Sequence, residues 1–140
     1  SQVPFSDADI FAASAEAESD TGMYEFELGR QLVDRLLQRK ESYSAIIAIN
    51  DITAFGVIQA LSQYGISVPG HMSVIGFDNI AYSKMLSPPL TTVALPSSSM
   101  GFAACQILID TLSNELEIPS QLSFSSPCYL EERQSVRRIT

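Results

Sequence analysis

Met72–Val93 reads MSVIGFDNIAYSKMLSPPLTTV. Its opening, Met72-Ser73-Val74-Ile75-Gly76-Phe77, is a short apolar run with β-branched members, long enough for one strand. The run lacks the strict polar alternation of a half-exposed sheet, so it predicts a buried, parallel strand. It stops at Asp78-Asn79, two polar residues that tolerate turns. In an open parallel α/β sheet, ligands bind beyond the carboxyl ends of the strands. A carboxylate and an amide therefore stand where a site would be, although an aspartate after a strand is also an ordinary turn residue.

Immediately upstream, Ser44-Ala45-Ile46-Ile47-Ala48-Ile49 predicts a second buried strand, and it too ends in a polar pair, Asn50-Asp51. The next segment, Ile52–Tyr64, is predicted helical with Asn50 or Asp51 as its cap. Gly65 follows as a left-handed stop residue, then apolar Ile66, with Pro69 shortly after. Strand, helix and strand make a βαβ unit, which should cross over right-handed. Ile52, Ala54, Phe55, Val57, Ile58, Ala60 and Leu61 occupy nearly the whole circumference of that helix. A helix apolar on more than one face should be buried on more than one face. One face covers the sheet, and 140 residues leave little within the chain to cover the other. Phe55 and Ile58 cannot both be buried by one layer. Met85 and Leu86, in the loop segment Tyr82–Leu86, likewise have no evident partner. Self-association through an isologous contact is the expected outcome.

Farther out, residues 1–9 read as a lead-in and Ile10–Ala15 as a first strand. Ser19-Asp20-Thr21-Gly22 reads as a loop feeding a helix, with Asp20 or Thr21 as its cap and Glu25 and Glu27 near its positive end. Phe26, Leu28, Leu32, Val33, Leu36 and Leu37 then recur at helical spacing for about five turns. On the other side, Leu90–Leu95 predicts another strand and Met100–Leu112 another helix. Gln121–Phe124 and Cys128–Gln134 read as a closing pair of strands, after which the tail should fray.

Composition narrows the function classes. The formal net charge of −8 argues against a nucleic-acid backbone as partner for this segment. Only the tail gathers basic residues, Arg133 with Arg137-Arg138, too few for a nucleic-acid patch. No apolar run is long enough to span a bilayer. Cys105 and Cys128 have neither zinc nor redox spacing and read as small buried hydrophobes. His71, the single histidine, reads as a solvated loop residue beside Gly70. There is no phosphate-binding loop, dinucleotide fingerprint or nucleophile elbow, so no cofactor, no metal and no catalytic residue is implied. A hydrolase with Asp78 as base lacks a partner group within hydrogen-bond reach.

Three segments in order carry a resemblance. They are Ala48-Ile49-Asn50-Asp51 followed by Ala54-Phe55-Gly56; Gly65-Ile66-Ser67-Val68-Pro69 running into Val74-Ile75-Gly76-Phe77-Asp78-Asn79; and Pro88-Pro89-Leu90-Thr91-Thr92-Val93. Together they resemble the sensor module of the lactose-repressor/galactose-repressor family of bacterial transcription regulators, continuously from about Tyr43 to Gly101. The resemblance implies an α/β fold with an open, mostly parallel sheet flanked by helices, as in periplasmic sugar-binding proteins. There, two lobes hold a small-molecule effector, a sugar or sugar derivative, between them. It implies that residues 1–140 are a partial effector-binding and dimerisation domain from the second lobe, with residues 97–118 belonging to the other lobe. It also implies a cytoplasmic homodimer that reaches DNA only through a helix-turn-helix absent from this chain.

Residue by residue, Asp78 matches the family's acidic residue that hydrogen-bonds ligand hydroxyls, and Asn50 the polar residue at the neighbouring strand end. Asp20 stands where several members carry an aromatic that packs on the sugar, and Leu95 where a glutamine is frequent. The family's cleft arginine would lie upstream of Ser1. Phe55 and Leu86 match positions at the family's two-fold interface, with the helix after Thr21 contributing its first turn; Ile58 and Met85 join them on the apolar pattern. The rival from another class is a periplasmic receptor of a transport system. A signal peptide upstream would favour it, and a helix-turn-helix the regulator.

Overall fold

The computed structural model describes residues 6–12, 21–39, 41–114 and 127–138. Among these, α1 (Thr21–Leu37), β1 (Ala45–Ile47), α2 (Asp51–Gln63), β2 (Ser73–Asp78), β3 (Thr91–Ala94), α3 (Ser97–Asn114) and β4 (Tyr129–Glu131) follow in chain order. Two 3-10 turns, Asp7–Asp9 and Ala81–Lys84, complete the set. The sheet runs in the order β1-β2-β3-β4. β1, β2 and β3 are parallel, with Ile46 opposite Val74 and Phe77 opposite Val93, and β4 joins β3 antiparallel. The expected open, mostly parallel α/β sheet is present.

The core lies between the sheet and α2. Ala54, Leu61 and Val74 are fully enclosed there, with Leu90, Val57 and Met72 around them. Gly65 takes the left-handed conformation expected of it (φ +69°), and its N–H and that of Ile66 bond back to Ser62 and Leu61. Asn50, not Asp51, is the cap of α2: its side chain accepts the Thr53 N–H at 2.8 Å.

The second face of α2 is covered from within the chain, contrary to expectation. α1 lies directly on it, and the two backbones meet at a pair of glycines. A Cβ on Gly29 would stand 2.2 Å from the Thr53 carbonyl oxygen, and one on Gly56 would stand 1.9 Å from that of Phe26. Val33 and Leu36 of α1 are buried in the shared core. Arg30 donates to Gln63, and the Tyr64 hydroxyl donates to Asp34, at the rim. Ile58 is part of the chain's own core, and Phe55 packs partly against that core.

Other expectations are corrected. Ile10, Phe11 and Ala12 form no strand. They follow a 3-10 turn closed by Ser6 and Asp9, and Phe11 packs edge-on against Tyr43 and beneath Arg39. Ala13–Ala15, Ser19-Asp20 and Gln121–Phe124 lie outside the described residues. Cys105 and Cys128 are exposed rather than buried, one on a helix that no layer among the described residues covers and the other just before β4. The strand predicted over Cys128–Gln134 is Tyr129–Glu131 and pairs with β3.

The tail does not fray where it is described. The Val74 N–H bonds to the Ser135 carbonyl, the Ser135 hydroxyl donates to the Val74 carbonyl at 2.6 Å, and the Thr91 N–H bonds to that hydroxyl. Ser135 therefore fills the gap between the first half of β2 and the start of β3.

Among the described residues, two surfaces stay largely uncovered. On the sheet face turned away from α2, the register lines up Ile47, Ile75, Phe77, Val93 and Leu130, and Ile47 is 78% exposed. β1, predicted buried, is therefore covered on one side only among the described residues. On α3, Met100, Phe102, Leu108, Ile109 and Leu112 are all exposed, the last by 81%. No helix among the described residues is long and apolar enough to cross a membrane.

Candidate functional site

β2 delivers Asp78 to the carboxyl end of the sheet as its final residue. There the chain turns through two consecutive left-handed residues, Asp78 (φ 104°) and Asn79 (φ 55°). Asn tolerates that conformation because its short polar side chain can bond locally; Asp at φ 104° sits farther from any favoured region. Such a turn persists only where its surroundings over-determine it, and here three contacts do so. Arg133 reaches across from beyond β4 and donates through Nη2 to Asn79 Oδ1 at 2.7 Å, while Nη1 donates to the Leu90 carbonyl at 2.7 Å. The Asn79 N–H donates to Thr92 Oγ1, and the Ile80 N–H donates to Asp51 Oδ2 at 2.9 Å.

Asp78 itself is exposed. Partial desolvation raises its carboxyl above the ordinary aspartate value, and the charges of Asp51 and Glu25 push in the same direction. Glu25 belongs to the early part of α1, so the beginnings of both helices and the end of β2 share one acidic corner. Asn50 stands there as the cap of α2, half-buried, its Oδ1 committed to the Thr53 N–H. The corner thus offers acceptors from Asp78 and Glu25 and an amide from Asn50. That combination suits a ligand rich in hydroxyl groups, since carboxylates accept and amides both donate and accept. No group of three metal-binding side chains is assembled among the described residues.

The structure brings Asp78 and Asn50 to one end of the sheet, as the sequence predicts. Asp20 lies outside the described residues. Of the residues predicted for the two-fold contact, Ile58 is buried in the core, Phe55 and Leu86 pack half-buried against it, and Met85 is 69% exposed. For Thr21 only its place at the start of α1 is described. Sequence reading missed the supporting cast of Arg133, Thr92, Ser83 and the inward-turned Asp51. Thr92 carried a weak signal, as one of two threonine hydroxyls in a buried strand; Arg133 carried none. Two shallow hollows, of about 320 and 410 Å³, lie at the opposite, amino end of the sheet beside His71 and Ser67, and neither includes Asp78.

Against known proteins, residues 5–136 match the model of the periplasmic binding protein-like domain. The chain is 38% identical over 120 residues to the HTH-type transcriptional repressor PurR of Actinobacillus pleuropneumoniae serotype 5b, covering 84% of this chain and 35% of that protein. Among solved structures it is similar to a putative transcriptional regulator LacI from Bacillus cereus subsp. cytotoxis, with a TM-score of 0.75 and 31% identity over 82% of this chain and 40% of the other. It is also similar to a LacI family transcriptional regulator from Enterococcus faecalis V583 with bound ribose, at a TM-score of 0.73 and 30% identity over 82% and 42%. The chain therefore spans roughly a third to two fifths of the length of these relatives.

Proposed function

We propose, for a chain that belongs to the periplasmic binding protein-like domain family and to its lactose-repressor/galactose-repressor branch, the role of an effector-binding and dimerising part of a transcription regulator. The effector is a small molecule rich in hydroxyl groups, of the sugar class, held at the acidic corner by Asp78 with Asn50 beside it. The observation that carries this reading is the braced Asp78–Asn79 turn. A carboxylate is left exposed at the carboxyl end of a parallel sheet, in a backbone conformation that costs of the order of 1–3 kcal/mol per residue. Ribose in the Enterococcus faecalis neighbour supports the ligand class. Asp20 is a third candidate contact by resemblance.

The two largely uncovered surfaces support the reading that this chain is part of a larger, two-lobed module. α3 would pack with the other lobe, in keeping with residues 97–118 belonging there, and the uncovered sheet face would receive the remainder of its own lobe. In the intact regulator, ligand would favour one lobe arrangement over another by its differential affinity for the two. DNA would be reached through a separate helix-turn-helix, and the site performs no chemistry on its ligand. The transport-receptor alternative is not favoured, because the relatives matched are transcription regulators.

The test is a thermal-shift screen of the whole regulator against pentoses, hexoses and their derivatives, then calorimetry on the best binder. Asp78→Ala is expected to weaken binding by about 1.5–3 kcal/mol, the worth of a charged hydrogen bond. An affinity unchanged by that substitution would remove Asp78 from the site.

A further inference from the structure

Asp51 is the most enclosed charged residue described, with no exposed surface at all. An aspartate at the first position of a helix ordinarily faces solvent and favours the positive end of the helix dipole. This one is turned inward, and none of its three hydrogen bonds is to its own helix. Oδ1 accepts from Thr92 Oγ1 of β3 at 2.6 Å; Oδ2 accepts from the Ile80 N–H and from the Ser83 hydroxyl. Its room is cleared by Gly76, where a Cβ would lie 2.2 Å from Asp51 Oδ1. Ser83 is equally enclosed, and its carbonyl takes the Leu90 N–H.

The groups on this carboxylate face two ways. Thr92 Oγ1 also receives the Asn79 N–H, so on one side Asp51 holds the turn that presents Asp78. On the other side, Ser83 anchors the 3-10 turn Ala81–Lys84, which closes with the Met85 N–H on the Tyr82 carbonyl and leaves Tyr82 and Met85 outside in solvent. We infer that Asp51 is a positioning residue that locks the Asp78–Asn79 turn and the Tyr82–Met85 loop into one body, so that displacing either displaces the other. A buried polar cluster of this kind is rigid while fully satisfied and fails as a unit when one member is lost. What the lock serves rests on the ligand reading of Asp78; the lock itself does not.

Amide exchange by NMR on the full chain tests it without any ligand. Asp51→Asn is expected to speed exchange at Asn79, Ile80, Ser83 and Met85 by about tenfold or more, while Ala48, Tyr64 and Val74 stay within about threefold, the pattern of local opening. A uniform acceleration at every amide would mean an ordinary stabilising residue and overturn the inference, as would no change. Should Asp51→Asn not fold, Thr92→Val and Ser83→Ala each remove one bond. Thr92→Val should then speed exchange at Met85, and Ser83→Ala at Asn79, with Thr92→Ser restoring the wild-type rates. Changes confined to the mutated end would sink the lock. Failure of the ligand reading is recorded separately, by Asp78→Ala in calorimetry.

Discussion

Asp78 holds its proton more tightly in the folded chain than an ordinary aspartate, first through desolvation and then through Asp51 and Glu25. For an acid with a raised folded pKa, the folded state binds more protons than the unfolded state between the two values. Stability therefore falls as pH rises through that window. Asp78→Asn removes this term. The mutant is expected to gain stability relative to wild type above the window, with the gain shrinking as pH drops below the ordinary aspartate range. Urea unfolding across pH 3–7, roughly the span that brackets a raised aspartate, checks it; a difference independent of pH would mean that only the easier left-handed backbone of Asn had been measured. At this scale the sequence was legible where chemistry follows strand ends: Asp78 and Asn50 are both found there. Arg133 was illegible because its partner Asn79 is 54 residues away. The sequence offers Asp51 as a possible cap, since nothing local tells an inward-turned side chain from an outward one.

Among the elements, α2 shows what a pattern can and cannot say. Its apolar residues all round correctly required two covered faces. What covers the second face is α1, and the fit depends on two residues that hydropathy ignores. Gly29 and Gly56 let the helices approach until backbone touches backbone. Gly56→Ala should cost at least about 1–3 kcal/mol, the range for overpacking, because backbone at a helix crossing yields less than a side chain does. Chemical denaturation gives the value. A mutant as stable as wild type would place the helices farther apart. β1 departs from its expected burial for a related reason: an apolar run cannot report whether a second layer is present, and here Ile47 has none among the described residues.

For the whole molecule, the proposed two-fold contact is now better aimed. Ile58 is enclosed in the chain's own core and Phe55 partly so, whereas Met85, with Tyr82 nearby in sequence, is exposed. Met85→Glu is therefore a cleaner probe than Phe55→Glu, which would also unsettle the core. It should weaken a dimer of the intact regulator by at least ~2–3 kcal/mol, roughly a hundredfold in dissociation constant, because a charge would be placed in an apolar contact. Sedimentation equilibrium decides it: a monomeric parent, or a dimer indifferent to Met85→Glu, would move the contact elsewhere.

The tail clasp at Ser135 sets a clock on biosynthesis. The edge of β2 that it closes is made 61 residues earlier. At ribosomal speeds of about 5–20 residues per second, that edge stays open for roughly 3–12 s during translation. An unpaired strand edge is a template for mispairing with other chains. For those seconds the Val74 end of that edge is open to a wrong partner, and a nascent-chain chaperone would act there.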